Sequence, residues 1–163
     1  MSTSPHARPA GPGDVTELGR LAAEAISEQQ HSRGGPVWSV REARPAPFGE
    51  SISAAMADER GRVWLGTFTG ASVGYAVAHI EELRDGTLLG VIDDLFVEPD
   101  VRGVGVGEAL AEAVVTWCEA EGCRGIDAWA LPGNRETKNF FESFGFTARG
   151  IVVHRDLRTG TGS

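Results

Sequence analysis

One stretch of the chain constrains its fold more than any other. An apolar strand pattern from Leu88 to Val97 runs into Pro99-Asp100-Val101-Arg102-Gly103-Val104-Gly105-Val106-Gly107, and an amphipathic helix leaves that loop. Val106, Leu110, Ala113, Val114 and Trp117 make the apolar stripe of the helix, with Glu108, Glu112 and Glu119 off it. A strand, a glycine loop and a helix start in succession gather outward-pointing amides in one place, which is an anion site. Glycines there let a ligand approach the backbone with no Cβ in the way. The ligand expected is a phosphate or diphosphate, since three or four charge-assisted bonds of about 1.5–3 kcal/mol each would anchor one. Taken alone, the glycine run is equally consistent with a turn that binds nothing. A nucleotide P-loop is excluded, because no Gly-Lys-Ser/Thr ending follows. A dinucleotide fingerprint requires Gly or Ala where Glu108 or Leu110 stands.

The surrounding pattern is that of an α/β domain. Thr3 to Pro9 can form a short strand. Asp14 and Glu17 have capping-box spacing, followed by Leu18, Leu21, Ala22, Ala25 and Ile26 at helical intervals. His31 to Gly49, rich in Gly and Pro, reads as a long connection with a short helix at its start, and Ser51 to Asp58 as another short helix. Val63–Phe68, Ser72–Ile80 and Leu88–Val97 read as three antiparallel strands joined by Thr69-Gly70-Ala71 and by a turn at Asp85-Gly86. Gly125 to Leu131 is a further strand. Asn134 caps a last helix, Gly145 ends it, and Phe146 to Leu157 is expected to add one or two closing strands. Residues 1–157 are read as one domain and 158–163 as a flexible tail.

Composition narrows the function. The 163 residues are 41% hydrophobic and 23% charged, as in an ordinary globular domain. Fifteen Lys and Arg against 23 Asp and Glu give a net charge of −8, which disfavours nucleic acid and anionic membranes as partners. No apolar run approaches the ~18 residues of a membrane span, and Met1-Ser2-Thr3-Ser4-Pro5 lacks the pattern of a secretion signal. Cys118 and Cys123 match no metal knuckle, so no metal is expected, and a cytoplasmic location fits their reduced state.

Two segments carry a family likeness. Arg102-x-x-Gly105-x-Gly107 resembles the Gln/Arg-x-x-Gly-x-Gly/Ala signature of the GCN5-related N-acetyltransferases. Asn134-x-x-Thr137-x-x-Phe140-Phe141-x-x-x-Gly145-Phe146 resembles that family's second conserved segment. The likeness runs from Asp14 to about Leu157. It implies a mixed, mostly antiparallel sheet with a central parallel splay and helices on both faces, acetyl-CoA as cosubstrate, an amine acceptor that is a small molecule or a protein, and a homodimer in some members.

Residue by residue, the resemblance implies that acetyl-CoA lies between the splayed strands. The stretch Leu95-Phe96-Val97 would pair with the pantetheine arm through backbone groups of Leu95 and Val97. The amides of Gly103, Val104, Gly105, Val106, Gly107 and Glu108 would hold the pyrophosphate, with Arg102 shaping the loop or assisting that charge. Asn134 would contact the cofactor near its pantetheine or thioester end, and Phe141 would lie near the leaving thiolate. Acyl transfer to an ammonium needs a base. Because side chains alternate along a strand, only one of Asp93 and Asp94 should face the acceptor: Asp93 is the choice, Asp94 the alternative. Trp38 and Phe48 in the early connection would contact the acceptor. Trp64, Trp117 and Trp129 read as core, and His79 as a structural strand residue. Phe141 departs from the family, whose members often carry there a tyrosine that protonates the leaving thiolate; Tyr75 is a candidate substitute. The departure leaves a rival reading, a non-catalytic acyl-CoA sensor of the same fold. A nucleotide-binding module is a third.

Overall fold

The computed structural model describes residues 4–158. Strand β1 (His6–Pro9) is followed by a short 3-10 turn and α1 (Val15–Gln29), α2 (Gly35–Arg41) and α3 (Phe48–Ala57). Then come β2 (Gly61–Phe68), β3 (Ala71–Glu82), β4 (Leu88–Val97), α4 (Val106–Ala120), β5 (Cys123–Ala128) and α5 (Arg135–Ser143). The sheet order is β1-β2-β3-β4-β5. All neighbours are antiparallel except β4 and β5, which are parallel and joined through α4. The mixed sheet with helices on both faces is the architecture expected.

Alternation along the strands divides the core in two. Ala76, Ala78 and Ile80 of β3 pack with Val106, Leu110, Val114 and Trp117 of α4. Tyr75 and Val77 turn the other way, onto Leu18, Leu21, Ala22 and Ala25 of α1 and Ile52 of α3. Helix α4 lies close because β2 has a glycine beneath it. A Cβ on Gly66 would come within 2.7 Å of Val106 Cγ1 and 3.1 Å of Leu110 Cδ1.

Several boundaries differ from expectation. Asp14 sits at the N-cap of α1, but its carboxylate accepts from Arg8 and from the Gly11 N–H instead of capping the helix. Helix α3 begins at Phe48, three residues before Ser51, and this turns the Phe48 ring onto the α1–α3 core. Strand β5 starts at Cys123 and stops at Ala128, because its partner β4 bends away there. Thr3 lies outside the described residues, as does all of the proposed tail except Arg158. Helix α5 does end at Gly145: with φ +85° it lets its own N–H reach Glu142 O and the Phe146 N–H reach Phe141 O.

The closing strands are absent. Residues 147–157 form no ladder; the Arg149–Asp127 ion pair ties the segment to β5, while Ile151 is 84% and Val153 89% exposed. Ile151-Val152-Val153 is a consecutive apolar run followed by His154-Arg155-Asp156. It has no period-two face to lay on the sheet. Among the described residues, no helix is long and apolar enough to cross a membrane.

Candidate active site

The site is organised by a defect in β4. Val77 of β3 stands opposite Asp94, yet the next residue, Ala78, stands opposite Ile92. Asp93 is therefore an extra residue in β4, a β-bulge, which bends the strand and re-aims its side chains. The parallel ladder with β5 ends at Ile92 and Ala128, immediately before the bulge. Beyond it β4 continues to Val97 with no strand on that side among the described residues. The Glu98 N–H bonds to Val73 O at 2.8 Å. Antiparallel alternation then aims the backbone groups of Phe96 and Asp94 at β3 and those of Leu95 and Val97 into the opening. An extended arm would need that arrangement.

The opening is a cavity of about 150 Å³ lined by Leu95, Phe96, Val97, Arg102, Gly103, Gly107, Glu108 and Asn134, with Glu28 and Gln29 of α1 and Glu136, Thr137 and Phe140 of α5. At one end α4 begins. Gly105 caps it with φ +105°, a conformation in which a side chain would be strained, and Gly105 O accepts the Ala109 N–H at 3.0 Å. The N–H groups of Val106, Gly107 and Glu108 precede that first helical bond and have no partner within the helix. Val106 and Val104 offer only backbone, since the Val106 side chain is buried under the sheet and Val104 faces solvent. Asn134 caps α5, its Oδ1 accepting the Thr137 N–H at 3.1 Å.

Arg102 spans this cavity. Its Nε donates to Val97 O at 2.9 Å, and its Nη2 meets both oxygens of Glu28 at 2.9 and 2.8 Å. Its Nη1 is 3.6 Å from Glu136, and the guanidinium lies 5.7 Å from the Phe96 ring centre. The sequence contains no signal for Glu28 or Glu136, which come from distant helices.

A second cavity, of about 50 Å³, shares Leu95 and Phe96 with the first. Asp93 and Asp94 both line it, which strict alternation forbids and the bulge permits. Trp38, Tyr75, Trp129, Leu131 and Phe141 give it aromatic and apolar walls, and Arg44 adds a charge. The two aspartates differ in their partners. Asp94 accepts from Arg44 Nε at 3.0 Å, Arg44 Nη2 at 2.7 Å and the Tyr75 hydroxyl at 2.8 Å. Arg44 Nη1 donates to Ser51 Oγ at 2.6 Å. The Arg44 and Asp94 side chains are 8% and 10% exposed. Asp93 is one-third exposed and meets the ring of His79 at 2.7 Å.

Three expectations are corrected here. Tyr75 is buried and its hydroxyl is committed to Asp94; burial, with that carboxylate beside it, pushes its pKa well up, so it is no ready proton donor. Phe48 lines neither cavity. Trp129 is not core: it is 46% exposed and forms a wall of the second cavity. Trp38, on α2, lines that cavity. Phe141 lines it too and packs on Phe140 and Phe146. Burial pushes the Cys118 thiol up to about 12, so it is no nucleophile. Among the described residues, no group of three or more His, Cys, Asp or Glu is placed to hold a metal ion.

Comparison with known proteins places the chain in a family. The acetyltransferase (GNAT) family pattern matches residues 24–146. The chain is 31% identical over 145 residues to serotonin N-acetyltransferase 2, chloroplastic, of rice, covering 83% of this chain and 70% of that protein. It is 33% identical over 91 residues to glucosamine 6-phosphate N-acetyltransferase of Trypanosoma brucei brucei, covering 55% of this chain and 60% of that one. A Bacillus halodurans protein solved as a tetramutant shares the fold, with a TM-score of 0.78, 21% identity, and 93% of this chain and 99% of that one covered. With the family pattern matching three quarters of its length and named N-acetyltransferases among its relatives, the chain belongs to the acetyltransferase (GNAT) family and is an acetyl-CoA-dependent N-acetyltransferase.

Proposed function

We propose that the protein transfers acetyl from acetyl-CoA to the primary amine of a small, singly charged acceptor with an apolar or aromatic body, by direct attack in a ternary complex. The observation that carries this reading is the shared wall: Gln29, Leu95, Phe96 and Thr137 line both cavities. Two ligands bound on either side of it would meet at Leu95. No transfer through a protein nucleophile is then needed.

The residues present fit the cosubstrate. Free amides at the start of α4 suit its diphosphate, and the Leu95 and Val97 backbone suits its amide-bearing arm. When bound, acetyl-CoA supplies the activated carbonyl. Arg102 offsets the charges of Glu28 and Glu136, which would otherwise repel a polyanion. Arg102→Leu is expected to weaken coenzyme A binding about tenfold in isothermal titration. Unchanged affinity would show that the two glutamates lie outside the field of the bound diphosphate.

In the second cavity Arg44 and Asp94 neutralise each other, and Asp93, which meets His79 through one oxygen, has the other available to an ammonium. With Glu81 on the far nitrogen of His79, the group carries one net negative charge, which suits one cationic centre. The walls of Trp38, Trp129 and Phe141 suit a planar body, as in the serotonin named for the rice relative. Asp93 takes the ammonium proton. Phe141 has no hydroxyl and Tyr75 is committed to Asp94, so the departing thiolate draws its proton from solvent. Thiol release measured with 2-phenylethylamine, tryptamine, glucosamine 6-phosphate and spermine tests the reading. The two aryl amines are expected to lead. Coenzyme A binding with no release on any amine would favour the acyl-CoA sensor that Phe141 suggests.

A further inference from the structure

His79 lies beside the second cavity without lining it. It sits on β3, opposite Val91 of β4 and Gly61 of β2. Its Nδ1 is 2.7 Å from Asp93 Oδ2, and its Nε2 is 2.7 Å from Glu81 Oε2. Glu81 is two residues along the same strand and therefore on the same face. An imidazole with a carboxylate at each nitrogen satisfies both contacts only when both nitrogens carry a proton. The bulge makes the contact with Asp93 possible: in a regular β4, its side chain would point away from the face that carries His79 and Asp94.

We propose that His79 is a positioning residue for the transfer: donating from Nδ1 to Asp93 and from Nε2 to Glu81, it fixes Asp93 Oδ2 so that Oδ1 alone meets the acceptor ammonium. This inference rests on the acceptor reading given above. A carboxylate on a bulge has freedom that a regular strand denies it, and Asp93 is one-third exposed. The ring removes that freedom and ties β4 to β3 at the point where β4 leaves β5.

The protonation state agrees with the geometry. The hydrogen bond to Asp93 is the largest influence raising the His79 pKa, to about 9, with Glu81 adding to it and burial opposing it. The charged groups facing the ring are Asp93 from β4 and Glu81 from β3; β2 presents only Gly61, and Arg44 acts on Asp93 from the segment between α2 and α3. Because the folded value lies above the ordinary one, the bridge is formed at neutral pH, and its contribution to stability is full below the ordinary imidazole range. It is lost as pH rises through about 9.

Two measurements test this. Long-range proton–nitrogen NMR of the labelled full chain reads the ring directly, whatever the acceptor. Both nitrogens of His79 should be protonated at neutral pH with a midpoint near 9, falling toward the ordinary value in Asp93→Asn. A neutral ring at neutral pH, or a midpoint indifferent to Asp93→Asn, overturns the bridge. The second measurement is kinetic. His79→Ala should raise KM for the best amine of the panel about tenfold while kcat changes less. His79→Asn, whose side-chain amide can still donate to Asp93, should recover most of the loss. Equal loss in both variants would reduce His79 to strand packing and overturn positioning. The two failures are separable: if Asp93→Asn leaves KM and kcat for every amine unchanged, the acceptor reading itself is wrong. If it impairs them while His79→Ala does not, only this inference falls.

Discussion

Replacing Arg44 by methionine is expected to lower the free energy of unfolding by about 3–5 kcal/mol, the cost of leaving one member of a buried ion pair without the other. Asp94 would be left inside the cavity wall without its counter-charge, with the Tyr75 hydroxyl still donating to it. Burial works against the Arg44 charge, and Asp94 beside it more than offsets that, holding the guanidinium above its ordinary value. A domain of this kind has about 5–15 kcal/mol in all, so the variant should unfold at markedly lower denaturant with an unchanged slope. The companion Arg44→Met with Asp94→Leu should recover most of the loss, because it removes both charges together. A loss below about 1 kcal/mol in the single variant would mean that the pair behaves as a surface pair, open to water.

That pair also marks what the sequence does not make legible. The strands, α1, α4 and α5 were legible because each carries a period, and the glycine loop was legible because backbone amides at a helix start have one chemistry whatever the side chains. Arg44 sits in a Gly- and Pro-rich connection with no period, and its partner is 50 residues away. The bulge was hidden for a related reason. Asp93-Asp94 reads as two successive positions of an alternating strand, and only the register against β3 reveals that one of them is extra. The same blindness misplaced Phe48 and Trp129. A shift of three residues in a helix start, or in a strand end, moves an aromatic from pocket to core or from core to pocket. Residues 146–157 misled in the opposite way: β-branched residues were present, but the alternation that would seat them on a sheet was not.

Asp93→Asn is expected to reduce kcat/KM for the best amine about 10²–10⁴-fold, the range for loss of one positioned base. Asparagine keeps the volume and one acceptor oxygen, so the β4 bulge and the opening beside Leu95 should survive. Coenzyme A affinity is therefore expected to stay within about twofold, because none of the groups proposed to hold it belongs to Asp93. The loss should shrink as pH rises toward the pKa of the amine itself, since a larger share of the acceptor then arrives already neutral. Asp94→Asn should behave differently. Its oxygens already accept from Arg44 and Tyr75, so the change would leave the Arg44 guanidinium without its counter-charge and show first as lost stability. If instead Asp94→Asn abolished turnover at unchanged stability while Asp93→Asn did not, the base would be the aspartate held by Arg44. The bulge residue would then serve only to bend the strand.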